Sequence, residues 1–199
     1  RKQTRTVKIH HALILLTAIL LPAGGVVAST AEAEKRLQSA VDEVLSIADH
    51  ASDNASLAKS LRPVLENHIS FDAMTRRAVG PGWRQFSPEQ QKKATQLFTT
   101  LIIRSYSSKF TPGEKAVIKF QPATSPAPGR VEVPTTLLYQ GSRYGVTYRL
   151  ESAEAWRITD VVIEGVSLVA NYRSQFDAEF KKGGANAVID ALTQSVAKP

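Results

Sequence analysis

From residue 31 to about 110, apolar side chains recur every three or four positions; from 116 to 163 they recur every second position; after Gly165 the wider spacing returns. The two periods mark a helix face and a half-buried strand. Leu37, Val41, Val44, Leu45 and Ala48 form the first stripe and predict a helix over about 31–51. Leu57, Leu61, Val64 and Leu65 predict a second over about 56–68, with a kink or late start expected at Pro63. Phe71 to Val79 reads as a short helix stopped by Gly80-Pro81-Gly82, with Trp83 on the connection. Ser87-Pro88-Glu89-Gln90 is a strong helix start: Ser caps, Pro sits where its missing N–H is harmless, and Gln closes a capping box. That helix runs to about Phe110, with Ala94, Leu97, Phe98, Leu101, Ile102 and Tyr106 on its stripe.

Four strands follow. Ile118 and Phe120 alternate with Val117 and Lys119; Val131, Val133, Thr135, Leu137 and Tyr139 alternate with polar neighbours after a Pro-rich loop over 122–129. Gln140-Gly141-Ser142 reads as a hairpin turn into Tyr144, Val146, Tyr148 and Leu150. The last strand places Trp156, Ile158, Asp160 and Val162 on one face and Arg157, Thr159, Val161 and Ile163 on the other. An amphipathic helix from Val166 to Phe180, a stop at Gly183-Gly184 and a final helix over about 185–197 complete the chain. The order predicts an α+β fold: a four-stranded antiparallel meander with one wet face and helices covering the other.

Composition changes this picture at one end. The 199 residues carry 25 Lys plus Arg against 18 Asp plus Glu, a net +7 that suggests a polyanionic partner. Arg1, Lys2, Arg5 and Lys8 precede the apolar run from Ala12 to Leu21 and the small residues ending in Val26-Val27-Ala28. This is the layout of a secretory signal peptide, expected over 1–28 with a cut after Ala28, or failing that after Ala31 or Ala33. Without the leader, 21 basic residues face 18 acidic ones, a net +3 on a single domain over 29–199. The remaining basic residues are scattered in pairs, such as Arg76-Arg77 and Lys92-Lys93, and form no stripe for nucleic acid. The absence of cysteine excludes disulfides, thiolate metal sites and a Cys nucleophile.

Catalytic chemistry finds little support. His50 and His68 have no metal-ligand spacing and read as surface or helix-end residues. Ser167 stands at a strand-to-helix junction, but Val169 occupies the place where a nucleophile elbow needs Gly, so Ser167 reads as an N-cap. Asp160 and Glu164 could do acid–base work; as strand-end charges they would instead pair with Arg149 or Arg157. What remains is an apolar inventory: Val133, Leu137, Tyr139, Val146, Tyr148 and Leu150 on the sheet, facing Phe71, Leu97, Phe98, Leu101, Tyr106, Tyr172 and Phe176 on helices. Periodicity leaves two readings open, an ordinary close-packed core or a ligand cavity between layers.

Three segments carry a resemblance: Phe71-Asp72-Ala73-Met74-Thr75 with Trp83 and the helix from Ser87 to Tyr106; Val146-Thr147-Tyr148-Arg149-Leu150 with Trp156 to Val161; and Glu164-Gly165-Val166-Ser167-Leu168-Val169-Ala170-Asn171-Tyr172-Arg173-Ser174-Gln175-Phe176. Over roughly 35–195 the chain resembles the toluene-tolerance (Mla-type) periplasmic phospholipid carriers of Gram-negative bacteria. The resemblance implies a curved antiparallel sheet covered by helices, acyl chains in an apolar cavity between the layers, and no enzyme activity or cofactor. With Trp83, Val166 and Leu168 added from the matching segments, the apolar inventory becomes the expected lipid pocket. Implied partners are glycerophospholipid as cargo, an outer-membrane lipoprotein–porin complex and the ring-forming subunit of an inner-membrane ABC transporter; the chain itself is expected to be a monomer, with a role in outer-membrane lipid asymmetry. The related hopanoid carriers share the last motif and leave hopanoid or another lipid as an alternative cargo; an enzyme acting on an apolar small molecule, with Asp160 as its acid, is the other. Gly80-Pro81-Gly82 stands where many members have a plainer Leu-Gly pair, at the expected pocket entrance near Trp83.

Overall fold

The computed structural model describes residues 24–198, with side chains from Thr30 onward. The expected leader lies outside the described residues as far as residue 23. Helix α1 spans Gly24–His50 and so runs through the expected cut after Ala28. Asp53 caps α2 (Asn54–His68) by accepting from the backbone N–H groups of Ala55 and Ser56. The helix carries through Pro63 without ending. A short α3 (Phe71–Val79) leads into a 3-10 turn over Gly80–Gln85. The Ser87–Gln90 capping box opens α4 (Pro88–Ser107) as the sequence predicts.

The sheet has six strands rather than four: β1 (Val117–Phe120), β2 (Thr124–Ala127), β3 (Arg130–Tyr139), β4 (Ser142–Ser152), β5 (Trp156–Ile163) and β6 (Val166–Ser167). All pairings are antiparallel, in the order β1-β3-β4-β5-β6 with β2 beside β3. The two additions are short. Part of the Pro-rich loop pairs with the start of β3, and Val166-Ser167, expected to be helical, fold back on β5. The latter hairpin turns on Glu164 and Gly165, both at positive φ, as the β3–β4 hairpin turns on Gln140 and Gly141. Two consecutive left-handed residues give the turn whose twist matches the flanking strands.

One register shift matters for function. Asp160 pairs with Arg149, but the next pair is Ile158 with Leu150, so Thr159 is an extra residue bulged out of β5. The bulge reverses the parity of the strand. Ile158 stays on the covered face, Asp160 moves to the open face, and Val161 and Ile163 turn inward. The strict alternation read from the sequence had grouped Ile158 with Asp160 and Val162.

Helix α5 (Leu168–Ala197) is one element broken at Gly183 and Gly184, both with non-helical backbone angles. Its N-terminus is tied to the sheet through Asp160, which accepts from the Ser167 hydroxyl at 2.6 Å and from the backbone N–H of Val169 at 3.1 Å, while pairing with Arg149 at 3.1 Å. Ser167 is the N-cap, accepting from Ala170 N–H. Two apolar clusters result. One joins α3, the 3-10 turn, α4 and α5; the other joins α1 to the inner face of β3, β4 and β5.

Candidate functional site

Between α1, α2, the C-terminal half of α4 and the concave face of the sheet lies a cavity of about 250 Å³. Close-packed interiors tolerate few voids larger than a water molecule, so this is a built space and not a packing defect. Its roof is the apolar stripe of α1 (Leu37, Val41, Val44, Leu45, Ala48) and that of α2 (Leu57, Leu61, Val64, Leu65). Ile102, Ile103 and Tyr106 of α4 close one side. The floor is Ile118, Leu137, Val146, Tyr148, Val161 and Ile163, side chains that share one face of four strands because of the β5 bulge.

The wall is aliphatic almost throughout. Its exposed polar residues, Asp49, Thr111 and Glu114, come from the end of α1 and the loop after α4, which marks the mouth. That loop is held in place: Gly113 N–H donates to the Ala48 carbonyl at 3.1 Å, and Thr111 N–H donates to the Tyr139 hydroxyl at 2.7 Å. Tyr139 also stacks at a tilt on Phe110, with ring centroids 5.2 Å apart. Tyr139 therefore braces the rim and does not line the space.

Four further polar side chains line the wall, Tyr106, Ser107, Tyr148 and His68. Tyr148 is half-buried, and its exposed surface faces the cavity; burial pushes its phenol up to about 12, so it stays neutral at physiological pH. His68, at the end of α2, is 1% exposed. Its Nε2 meets the Glu43 carboxylate at 3.0 Å, while its Nδ1 is buried without a partner. The bond from His68 is the main reason that the Glu43 carboxyl is held below the ordinary glutamate range. His68 is thus a helix-end residue, as expected, but not a surface one.

Of the sixteen residues expected to form the pocket, Tyr106, Leu137, Val146, Tyr148 and Leu168 line this cavity. Phe71, Trp83, Phe98 and Phe176 belong instead to the cluster between α3, α4 and α5, with Leu97, Leu101 and Tyr172 packed against it. Phe98 meets Tyr172 edge-on at 5.0 Å and Phe176 at 5.7 Å, while Trp83 stacks on Phe86 at 5.4 Å. Val133 and Leu150 face inward but are covered by α1, and Val166 is 60% exposed at the β5–β6 hairpin. The expected entrance at Gly80-Pro81-Gly82 is likewise elsewhere. A Cβ on Gly80 would meet the Arg173 guanidinium, and one on Gly82 the Phe180 ring, so the glycines let α5 approach the turn closely. What the sequence reading undervalued was the roof: both N-terminal stripes were visible, and every residue of both lines the cavity.

Asp160 points away from this space, into a polar groove of about 610 Å³ on the other side of the sheet. There Arg77 and Arg130 pair with Glu151, and Arg149 bridges Glu132 and Asp160. Asp160, the acid expected of an enzyme of apolar substrates, is therefore outside the apolar cavity. Among the described residues no group of three or more His, Asp or Glu could hold a metal ion.

Comparison with known proteins agrees with this geometry. No curated protein sequence matches the chain significantly. A solved structure of a phospholipid-binding protein from Ralstonia solanacearum, in complex with a phospholipid, superposes with a TM-score of 0.77 at 25% identity, covering 83% of this chain and 97% of that one. The model of the family described as MlaC protein matches residues 38–194, from the first turns of the cavity roof to the last turns of α5. A match of that extent, over a fold with an aliphatic space between helices and sheet, shows that the chain belongs to the MlaC family.

Proposed function

We propose that this protein is a carrier that holds the acyl chains of a glycerophospholipid in the cavity between α1, α2, α4 and the sheet. The observation that carries the reading is the aliphatic lining of a space that is left open where a core would ordinarily close. Phospholipid bound by the Ralstonia solanacearum relative supports the choice of cargo. The energetics fit. Moving about 30 methylenes from a bilayer into water costs on the order of 20 kcal/mol at ~0.8 kcal/mol each, and a dry aliphatic pocket offsets most of that cost. Pocket and bilayer are then nearly isoenergetic, so direction must come from the complexes at either end and from ATP. On this reading the chain works in the periplasm of a Gram-negative cell, as a monomer, between an outer-membrane lipoprotein–porin complex and the ring-forming subunit of an inner-membrane ABC transporter.

Export by a cleaved leader belongs to the same reading. Ala33 is 0% exposed against the sheet, and Glu34 accepts from Ala123 N–H at 3.0 Å. A cut after Ala28 keeps both contacts, whereas one after Ala33 removes the first.

Native mass spectrometry of protein purified without detergent tests the carrier reading. Recovery of one phospholipid per chain is expected; absence of lipid, together with failure to take up lipid from vesicles, overturns it. Tyr148→Glu places an unpaired charge in the cavity wall and should abolish lipid retention while leaving most of the folded yield.

A further inference from the structure

Tyr139 and Tyr148 stand on the same face of the sheet, and their hydroxyls are used differently. That of Tyr139 accepts from the Thr111 N–H and braces the rim. That of Tyr148 has no hydrogen-bond partner among the described residues. A buried tyrosine ordinarily finds a partner for its hydroxyl, because an unpaired one is costly. The neighbours of Tyr148 offer none. Val133 on β3 and Val161 on β5 stand opposite it, and Val146 and Leu150 are its inward neighbours along β4. A phenylalanine would meet the same hydrocarbon surroundings and leave no polar atom over.

The hydroxyl is not sealed in. Among the described residues, the polar side-chain atoms shut away without a partner are Arg36 Nε and His68 Nδ1. The Tyr148 hydroxyl lacks a partner and is not one of these, so open space reaches it, and the space on that face of the sheet is the cavity. Burial pushes the phenol up to about 12, so near neutrality the hydroxyl keeps its proton and can donate. Depth narrows what can meet it. The mouth lies by Thr111 and Glu114, beside Tyr139 at the end of β3, and β4 begins opposite at Ser142. Tyr148 is six residues further along β4, about 20 Å at strand spacing. A headgroup at the mouth is out of its reach, so the group that meets Tyr148 belongs to the immersed part of the lipid.

We infer that Tyr148 is a specificity residue whose hydroxyl donates a hydrogen bond to an oxygen of the bound lipid inside the otherwise apolar cavity. The inference rests on the carrier reading and deepens it. Two parts of a lipid bring such an oxygen: an ester carbonyl, where the glycerol backbone is drawn into the cavity, or an oxygen carried on an acyl chain, where the backbone stays at the rim.

Tyr148→Phe removes the hydroxyl and keeps the ring, and matched lipids separate the two sources. Native mass spectrometry on equimolar mixtures would compare dipalmitoyl phosphatidylethanolamine with its dihexadecyl ether analogue, and distearoyl phosphatidylethanolamine with its 12-hydroxystearoyl counterpart. Wild type should favour the carbonyl-bearing or the hydroxyl-bearing member of at least one pair by about fivefold, within what one net hydrogen bond supplies. A preference in the first pair assigns the ester carbonyl, and one in the second the acyl oxygen. In Tyr148→Phe the ratio should fall to about one. The 13Cζ resonance of Tyr148 in wild type gives a second reading and should move between the favoured lipid and its match. The lipid-free variant should melt no lower than wild type, since it leaves no hydroxyl unpaired. No preference in either pair, a preference that survives in Tyr148→Phe, an unmoved resonance or a lower melting temperature of the lipid-free variant would overturn the assignment and leave the carrier reading standing. Failure of all four lipids to bind wild type would overturn both.

Discussion

Two apolar regions of this molecule are built from different side chains to opposite ends. Between α3, α4 and α5, aromatic rings interlock: Phe98 against Tyr172 and Phe176, Trp83 against Phe86, Phe86 against Phe180. Rings are large and rigid and make specific edge-on contacts, so they fill space and fix the geometry of the helices around them. Between α1, α2 and the sheet, the facing stripes are Leu, Val, Ile and Ala, and the layers stand apart. Flexible aliphatic walls can close around chains of variable length and make no directional demand on them. One region is a filled platform that stabilises the fold; the other is a surface turned inward around an open space, the one the proposed function assigns to cargo.

Substitutions in the two regions should therefore have opposite consequences. Phe98→Ala empties the centre of the aromatic platform and should cost about 3–5 kcal/mol of unfolding free energy in denaturant titration, with lipid stoichiometry per folded chain unchanged. Filling the open space should do the reverse. Val44→Phe adds a ring to the cavity roof, where overpacking has room to be absorbed. The melting temperature of the lipid-free protein should hold or rise, while lipid recovered by extraction falls severalfold; an equal loss of stability would show that the two regions are packed alike. Asp160→Asn weakens the tie between β5 and the start of α5, on the far side of the sheet from the cavity. A loss of about 1–2 kcal/mol is expected, from a weakened helix cap and a lost ion pair, with lipid uptake from vesicles intact.

The smallest expected effect is on pH dependence. The Glu43 carboxyl lies below its ordinary range in the folded chain, chiefly through the bond from His68. A depressed carboxyl contributes stability that is present above its unfolded pKa and is lost as pH falls through the folded value. Glu43→Gln should therefore lower stability slightly at neutral pH, where that contribution is present, and flatten the acid limb of the unfolding curve. A loss of the same size at acid pH would mean that the pair acts through His68 packing and not through charge.

Much of this architecture is legible in the sequence, because period and capping are local properties. The switch from helical spacing to alternation, the Ser87–Gln90 box, the turn at Gln140-Gly141 and the Ser167 cap all appear in the structure where residue types put them. The site is less legible, for two physical reasons. A bulge is one residue without a period of its own, so Thr159 is invisible in a pattern count, yet it decides that Asp160 faces a polar groove and Val161 the cavity. Size is also a poor guide to cavity walls. The aromatic residues Phe71, Trp83, Phe98, Tyr172 and Phe176 look like ligand contacts but are what closes a core, whereas the plain stripes from Leu37 to Ala48 and from Leu57 to Leu65 form the roof. Aliphatic composition in the first two helices was the available signal.

The roof also sets the order in which the chain can fold. Ala33, Leu37 and Val41 complete their burial only against Val131, Val133, Leu150, Trp156 and Ile158. Those contacts join the first described helix to strands about a hundred residues later, and non-local closure of that kind is slow. As the chain emerges N-terminus first, two helices with bare aliphatic stripes must wait for the sheet. Such surfaces are prone to association while they wait. The open lining of the finished protein thus has a counterpart in its nascent form: two apolar helix faces stay uncovered until β3, β4 and β5 are in place.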